Sequence, residues 1–388
     1  MTNSKYLVPL ILKQVRWSVK HGICDESASA FSQYGVVLVA MGEYHTSAEI
    51  SRIAETLSRR PEGATKRSRA LMQVYGYNLP WTSPAKTCLR SLILGHEIGM
   101  KQGDLVNAFY CAYLYIMLAG LSGRPLHLVT EDIEDFSRQM KIYNQEHIRK
   151  MCLPHLQFVM NMMYAGDSIE SNSTLSGEIM EFGVLMDHLE ETKHVYLQEQ
   201  VRSLQLYLAY YFDDLSNAWE MAKASANFDV TCLGQACIWR RYFFVGMTAY
   251  GLAIKASKGR NRVKVKGHYF SFWMKVGKQS FSKLKQMARR GNVNCSHLYY
   301  ILEAEKLALQ GASPERVLAA FDLAIVTSSR SGYVHDRALS YERAADFLIR
   351  LGDKERNLKY YQEQALLSYG DWGAKAKVRQ LVSKWNGT

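Results

Sequence analysis

The residues best suited to chemistry lie between Lys255 and Arg290. This stretch carries Lys255, Lys258, Arg260, Arg262, Lys264, Lys266, Lys275, Lys278, Lys283, Lys285, Arg289 and Arg290, and no acidic residue. These twelve cations equal the net charge of the whole 388-residue chain, +12, so the remainder is close to neutral. Tyr269, Phe270, Phe272, Trp273 and Phe281 are interleaved with them. Ammonium and guanidinium groups attract carboxylates and phosphates, and aromatic faces stack on bases. The combination therefore suits an acidic protein partner, a nucleic acid or an anionic lipid surface. It equally suits an amphipathic helix with buried aromatics and solvated lysines. No RNA-binding fold motif accompanies it.

Other spacings point away from catalysis. In His188-Leu189-Glu190-Glu191-Thr192-Lys193-His194 the histidines are six apart and fall on different helix faces, without the spacing of a zinc-binding helix. Gly277-Lys278-Gln279 lacks the upstream glycine of a phosphate loop and the Ser or Thr after its lysine. Kinase catalytic-loop and metal-binding triplets are missing. Cys232 and Cys237 have four residues between them, where a redox pair has two. His335-Asp336 reads as the polar start of a helix; Glu303, Glu305 and Glu342 could suggest paired carboxylates, but Glu342 reads as the partner of a neighbouring Arg or Lys. Tyr207, Tyr210, Tyr211 and Phe212 have the spacing of a core stripe. No nucleophile–base or metal constellation emerges, so the chain reads as non-catalytic and in need of no cofactor. Asn172-Ser173-Thr174 matches a glycosylation acceptor, which a cytoplasmic chain would not use.

The elements that must position the basic segment are helices. Hydrophobic residues make up 48% of the chain, prolines number only seven, and two-residue alternation is scarce, which predicts an all-α protein. The seven cysteines, Cys24, Cys88, Cys111, Cys152, Cys232, Cys237 and Cys295, are scattered and mostly apolar in context, as reduced thiols of a cytoplasmic protein are. The apolar start ends at Lys13 with no cleavage site, and the run 108–121 is short of the ~20 residues that a membrane span needs.

Helix-length segments alternate with short breaks along the whole chain. The expected organisation is irregular helical repeats over 1–164, central repeats over 178–257 and more regular repeats over 268–388. A Ser/Asn/Gly-rich loop at 165–177 and the basic connector 258–267 separate them within one continuous stack of about sixteen helices. Thr130 is the expected N-cap of the helix that follows it, and Pro154 an expected kink or interruption. Near the end, Ala338, Glu342, Ala345 and Leu348 share one helix face, and Gly352 stops that helix. A second helix runs from about 354 to 369, Gly370-Asp371 breaks it, and a basic helix follows Trp372-Gly373-Ala374. Gly103, with Ala108 five residues on, repeats the same helix–Gly-Asp–helix order earlier in the chain.

Val317, Phe321 and Ala324 take the small, aromatic and small positions of a tetratricopeptide-type hairpin, and Tyr361 and Ala365 line the helix of the last unit. Asn357 and Gln364 depart from that pattern, standing where small residues are usual. Together with LYYILEAEKLALQG (298–311), the segment 319–353 and YGDWGAKAKVRQL (369–381), this resembles the helical-repeat region of the predicted-ATPase multi-sensor kinases. RWSVKHGICDESASAFSQYG and KQGDLVNAFYCAYLY match it more loosely. The resemblance implies a right-handed α-solenoid of antiparallel hairpins that stands between a nucleotide switch and an output module. It implies packing roles for Gly103, Ala108, Phe321, Ala324, Ala338, Ala345, Gly352, Tyr361, Trp372 and Gly373. The expected function is a signalling scaffold whose concave surface holds a protein partner, such as a kinase or NTPase module or an acidic peptide. The alternatives are a regulatory domain that senses a small molecule inside the superhelix, and nucleic-acid or anionic-surface binding through 255–290.

Overall fold

A computed structural model describes residues 6–164, 172–225, 228–257, 263–352 and 357–386. The first part of the loop 165–177, the connector residues Lys258, Arg260 and Arg262, and the turn after Gly352 lie outside the described residues.

The described residues form an all-α stack with nineteen complete α-helices. In order they are α1 (Leu7–His21), α2 (Ser27–Met41), α3 (Tyr44–Ser58), α4 (Arg67–Gln73), α5 (Ala85–Gln102), α6 (Leu105–Leu121) and α7 (Leu126–Ile142). Next come α8 (Glu146–Met163), α9 (Phe182–Glu191), α10 (Val195–Tyr211), α11 (Leu215–Ala224), α12 (Phe228–Thr231) and α13 (Cys237–Ser257). The last six are α14 (Phe270–Arg289), α15 (Ser296–Leu309), α16 (Pro314–Ser331), α17 (Val334–Leu351), α18 (Leu358–Trp372) and α19 (Lys375–Asn386). Consecutive helices pair as hairpins, notably α2 with α3, α5 with α6, α13 with α14, α15 with α16 and α17 with α18.

The hairpin turns follow from short-range chemistry. Gly103, Gly352 and Gly373 end α5, α17 and α18 at φ +74°, +71° and +94°, a left-handed conformation that glycine alone adopts without cost. Asp104 then caps α6, and after the left-handed Asp213, Asp214 caps α11, accepting from the amides of Asn107 and Asn217. The irregular stretch after α3 is a 3₁₀ turn at Pro61–Lys66, the short α4, a π turn at Val74–Asn78 and a second 3₁₀ turn at Leu79–Trp81.

Three expected boundaries differ. Thr130 lies inside α7, which begins at Leu126 after Pro125, and its hydroxyl donates to the Leu126 carbonyl. Burial of Leu126, Val129 and Ile133 draws the first turn into the core and outweighs the capping preference of threonine. Pro154 sits within a continuous α8. Gly370-Asp371 does not break α18, which continues to Trp372 because the Trp372 ring is buried against Tyr211.

Parts far apart in sequence share one core, which extends from Val39 to Leu381. α19 packs on α8. Asn294 spans to the 80–85 turn, donating to the Pro80 and Ser83 carbonyls and accepting from the Ala85 amide.

Candidate functional site

α14 carries the basic segment, and its sequence sorts cleanly into two faces. Trp273, Met274, Gly277, Ser280, Phe281 and Leu284 are buried, while Lys275, Lys278, Lys283 and Arg289 are exposed and Lys285 is half-buried. The buried face lies unusually close to α13. A Cβ on Gly277 would overlap the Tyr250 ring, and one on Gly246 would come within 2.8 Å of Ser280 and 2.9 Å of Leu302. Small residues at this seam lock α14 down and leave its lysines no inward rotation.

The other basic residues scatter around it. Lys255 is exposed at the end of α13, and Lys264 stands 5.1 Å over the exposed Tyr269 ring. Lys266 lies 3.8 Å from Glu220, and Arg290 folds its guanidinium over Gly42. The aromatics do not form an open stacking platform. Trp273 and Phe281 are buried, Phe270 and Phe272 half-buried, and only Tyr269 is exposed.

An open groove of about 1010 Å³ runs between α14 and the end of α15. Its floor is Phe270, Met274 and Leu309, its rim is Lys275, Lys278 and Lys283, and no acidic side chain among the described residues lines it. Beside it Lys306 and Lys285 share the Phe281 ring at 3.8 and 5.3 Å. Burial lowers the Lys306 ammonium pKa. Glu303, at 3.9 Å, opposes that shift, and repulsion from Lys285, Lys278 and Arg316 adds to it. Among the described residues the cations here outnumber their counterions.

A second constellation is fully buried. Asp336 accepts from Arg240 Nη1 at 2.5 Å and from His297 Nε2 at 2.8 Å. Arg240 Nη2 donates to the Leu121 carbonyl and to His335 Nε2. Because guanidinium only donates, His335 Nε2 is the acceptor and its ring proton is on Nδ1. Burial pushes His335 down to about 3, with Arg240 and His297 adding to the effect and Asp336 opposing it. Burial alone would raise the Asp336 carboxyl, but Arg240, His335 and His297 together hold it well below the usual carboxylate range. An aspartate that orients a histidine is half of a catalytic triad. Here every member is sealed, with side chains at most 4% exposed, and the arrangement joins α6, α13, α15 and α17.

Next to it is a cavity of about 60 Å³ with mostly apolar walls. Three of its lining residues carry buried nitrogens without a hydrogen-bond partner among the described residues: His155 Nε2, His335 Nδ1 and Trp372 Nε1.

The remaining sequence candidates take structural positions. His194 caps α10 by accepting from the Leu197 amide, and His188 lies near the end of α9. Gln200 brings Cys232 and Cys237 together, donating to their sulfurs at 3.2 and 3.5 Å, a proximity that the four-residue spacing did not convey. The hydrogen bond with Cys237, then burial, push the Cys232 thiol far above its ordinary value. Among the described residues no group of three or more His, Cys, Asp or Glu side chains is placed to share a metal ion. No described helix is long and apolar enough to cross a membrane. Glu305 pairs with Arg343 at 2.6 Å and Glu342 with Lys377 at 2.8 Å. Tyr207, Tyr210 and Tyr211 pack around Phe244 in the core. Ala108, Phe321, Ala324, Ala338 and Ala345 are completely buried and Tyr361 nearly so, its hydroxyl donating to Asp322.

The sequence reading missed the Arg240–Asp336–His297 cluster and the part played by Lys377. One signal was present. Glu342 falls in the same stripe as Ala338, Ala345 and Leu348, and a carboxylate in an apolar stripe requires a buried cation.

No protein-family model matches the chain, and no curated protein matches it.

Proposed function

We propose that the chain is a non-catalytic helical-repeat scaffold that mediates protein–protein interaction in intracellular signalling, as the regulatory repeat arm of a kinase or NTPase system. The observation that carries this reading is the charge asymmetry of 255–290. Its described cations lie mainly on outer faces, held there by a tightly packed α13–α14 seam. A fixed basic surface with few counterions among the described residues draws acidic partners and speeds their encounter. The resemblance of the last third of the chain to kinase-associated repeats points to the same class of partner, and the cytoplasmic location expected from the scattered thiols is consistent with it.

The test is quantitative affinity capture with the full chain and with a variant in which Lys264, Lys266, Lys283 and Lys285 are reversed to Glu. The expected result is a saturable protein partner whose recovery falls with salt and with the reversal. Recovery of nucleic acid alone would replace this reading with the nucleic-acid alternative. A metabolite that raises the melting temperature, with no protein partner found, would favour the ligand-sensing alternative.

A further inference from the structure

We propose that the groove between α14 and α15 receives an acidic amphipathic helix of a protein partner, with the helix's apolar side on Phe270, Met274 and Leu309 and its carboxylates against Lys275, Lys278 and Lys283. This rests on the scaffold reading and names the surface and the partner's chemistry.

Three features converge on it. The floor is apolar and the rim cationic, which is the complement of a helix with apolar residues on one stripe and Glu or Asp beside it. Lys275 and Lys278 are three residues apart on one exposed helix face, and acidic residues at three- or four-residue spacing on a partner helix match that interval. Third, Lys306 beside the groove feels repulsion from Lys285, Lys278 and Arg316 that Glu303, at 3.9 Å, opposes, so an incoming carboxylate adds attraction at a cation-rich edge.

The partner's secondary structure follows from what the surface offers. No strand with an open edge exists among the described residues, so an extended peptide has no backbone ladder to join. Nucleic acid fits less well because single strands need exposed rings for stacking, and Trp273 and Phe281 are turned inward.

The experiment uses the full chain and a synthetic 16-residue helix-forming peptide with Leu and Phe at i, i+3, i+4 and i+7 and Glu on both flanks. A scrambled peptide of the same composition, an oligothymidylate and phosphatidylserine vesicles serve as competitors. Fluorescence anisotropy should show binding of the amphipathic peptide that weakens with salt. Scrambling should weaken it at least tenfold, as should the Lys275→Glu/Lys278→Glu double variant and, through the floor, Leu309→Glu. Reversal of Lys264 and Lys266 should leave it within twofold. Circular dichroism melts of each variant, with Lys275→Gln/Lys278→Gln as a milder second pair, separate lost binding from lost fold. Equal affinity for the ordered and scrambled peptides, stronger competition by oligothymidylate or vesicles, or no peptide binding would each overturn the proposal. If the Lys275/Lys278 variant still captures the natural partner, the groove assignment fails while the scaffold reading stands.

Discussion

Arg240 and Asp336 are 96 residues apart in sequence and meet at 2.5 Å in the interior, both side chains at most 4% exposed. Arg240 belongs to α13 and also holds the end of α6 through the Leu121 carbonyl, while Asp336 opens α17. One ion pair thus joins the first, middle and last thirds of the stack. Loss of one partner leaves the other charged, buried and uncompensated. Asp336→Asn should therefore destabilise the fold by about 3–5 kcal/mol, whereas Arg240→Met with Asp336→Leu should recover much of that loss. Urea melts of the two single variants and the double variant check this. Additive losses would mean that the two residues are not energetically coupled.

The same cluster sets an acid limit. His335 is held at about 3 in the folded chain, against an ordinary value of about 6.5 when unfolded. The unfolded state therefore takes up this proton first. The stabilisation is intact above about pH 6.5 and is lost as pH falls toward 3, at up to about 1.4 kcal/mol per pH unit. Asp336, held below the usual carboxylate range, does not protonate through most of that window. Denaturant melts between about pH 7 and about pH 4.5 should show a shallower slope for His335→Gln than for the natural chain. Identical slopes would contradict the buried, neutral imidazole.

Trp372 offers a test of an unmet donor. Its ring fills the core beside Tyr211 and His335, but Nε1 has no partner among the described residues. Trp372→Phe should cost less than about 1.5 kcal/mol or even stabilise, since it removes a buried unsatisfied N–H. Trp372→Ala should cost about 3–5 kcal/mol through the cavity it leaves. A Phe variant as unstable as the Ala variant would show that the indole nitrogen is bonded in solution.

Thiol accessibility separates the cysteines. Of the seven, only Cys24 is exposed. Native protein should react with a thiol reagent at this one site quickly, and at all seven only after unfolding, because burial raises Cys88, Cys111, Cys152 and Cys295, and the hydrogen bond with Cys237, then burial, raises Cys232. Rapid modification of Cys232 or Cys237 would show that the seal around Gln200 opens.

The α13–α14 seam positions the basic face, so its glycines carry a prediction for binding as well as stability. Gly277→Ala forces a methyl into the Tyr250 ring and should destabilise by about 1–3 kcal/mol. It should also weaken peptide capture by moving α14 relative to α15. An unchanged melting temperature would mean that the two helices are further apart than described.

Much of the architecture was legible because it is local. Hairpin turns are set by one left-handed glycine and an acidic cap, as at Gly103-Asp104, and apolar stripes at three- and four-residue spacing mark which face turns inward. The burial of Trp273 and Phe281 opposite exposed lysines on α14 was one of the readings its sequence left open, and the packing against Tyr250 supports it. What could not be read is long-range. The fact that α19 packs on α8, that Asn294 reaches Pro80, and that Asp336 meets Arg240 depends on how the stack curves, and curvature accumulates from small rotations at each hairpin. Thr130 and Gly370 show the same limit locally, since tertiary burial extends both helices past strong boundary signals.

The central claim is that the chain acts by holding an acidic partner on the outer face formed by α14 and α15. Amide hydrogen exchange of the full chain with and without the acidic amphipathic peptide tests it most directly. Binding should slow exchange in residues 270–289 and at the end of α15 near Leu309, with little change around Arg240 and Asp336. Protection confined to the interior beside the Trp372 cavity, or spread evenly over the molecule, would contradict the claim.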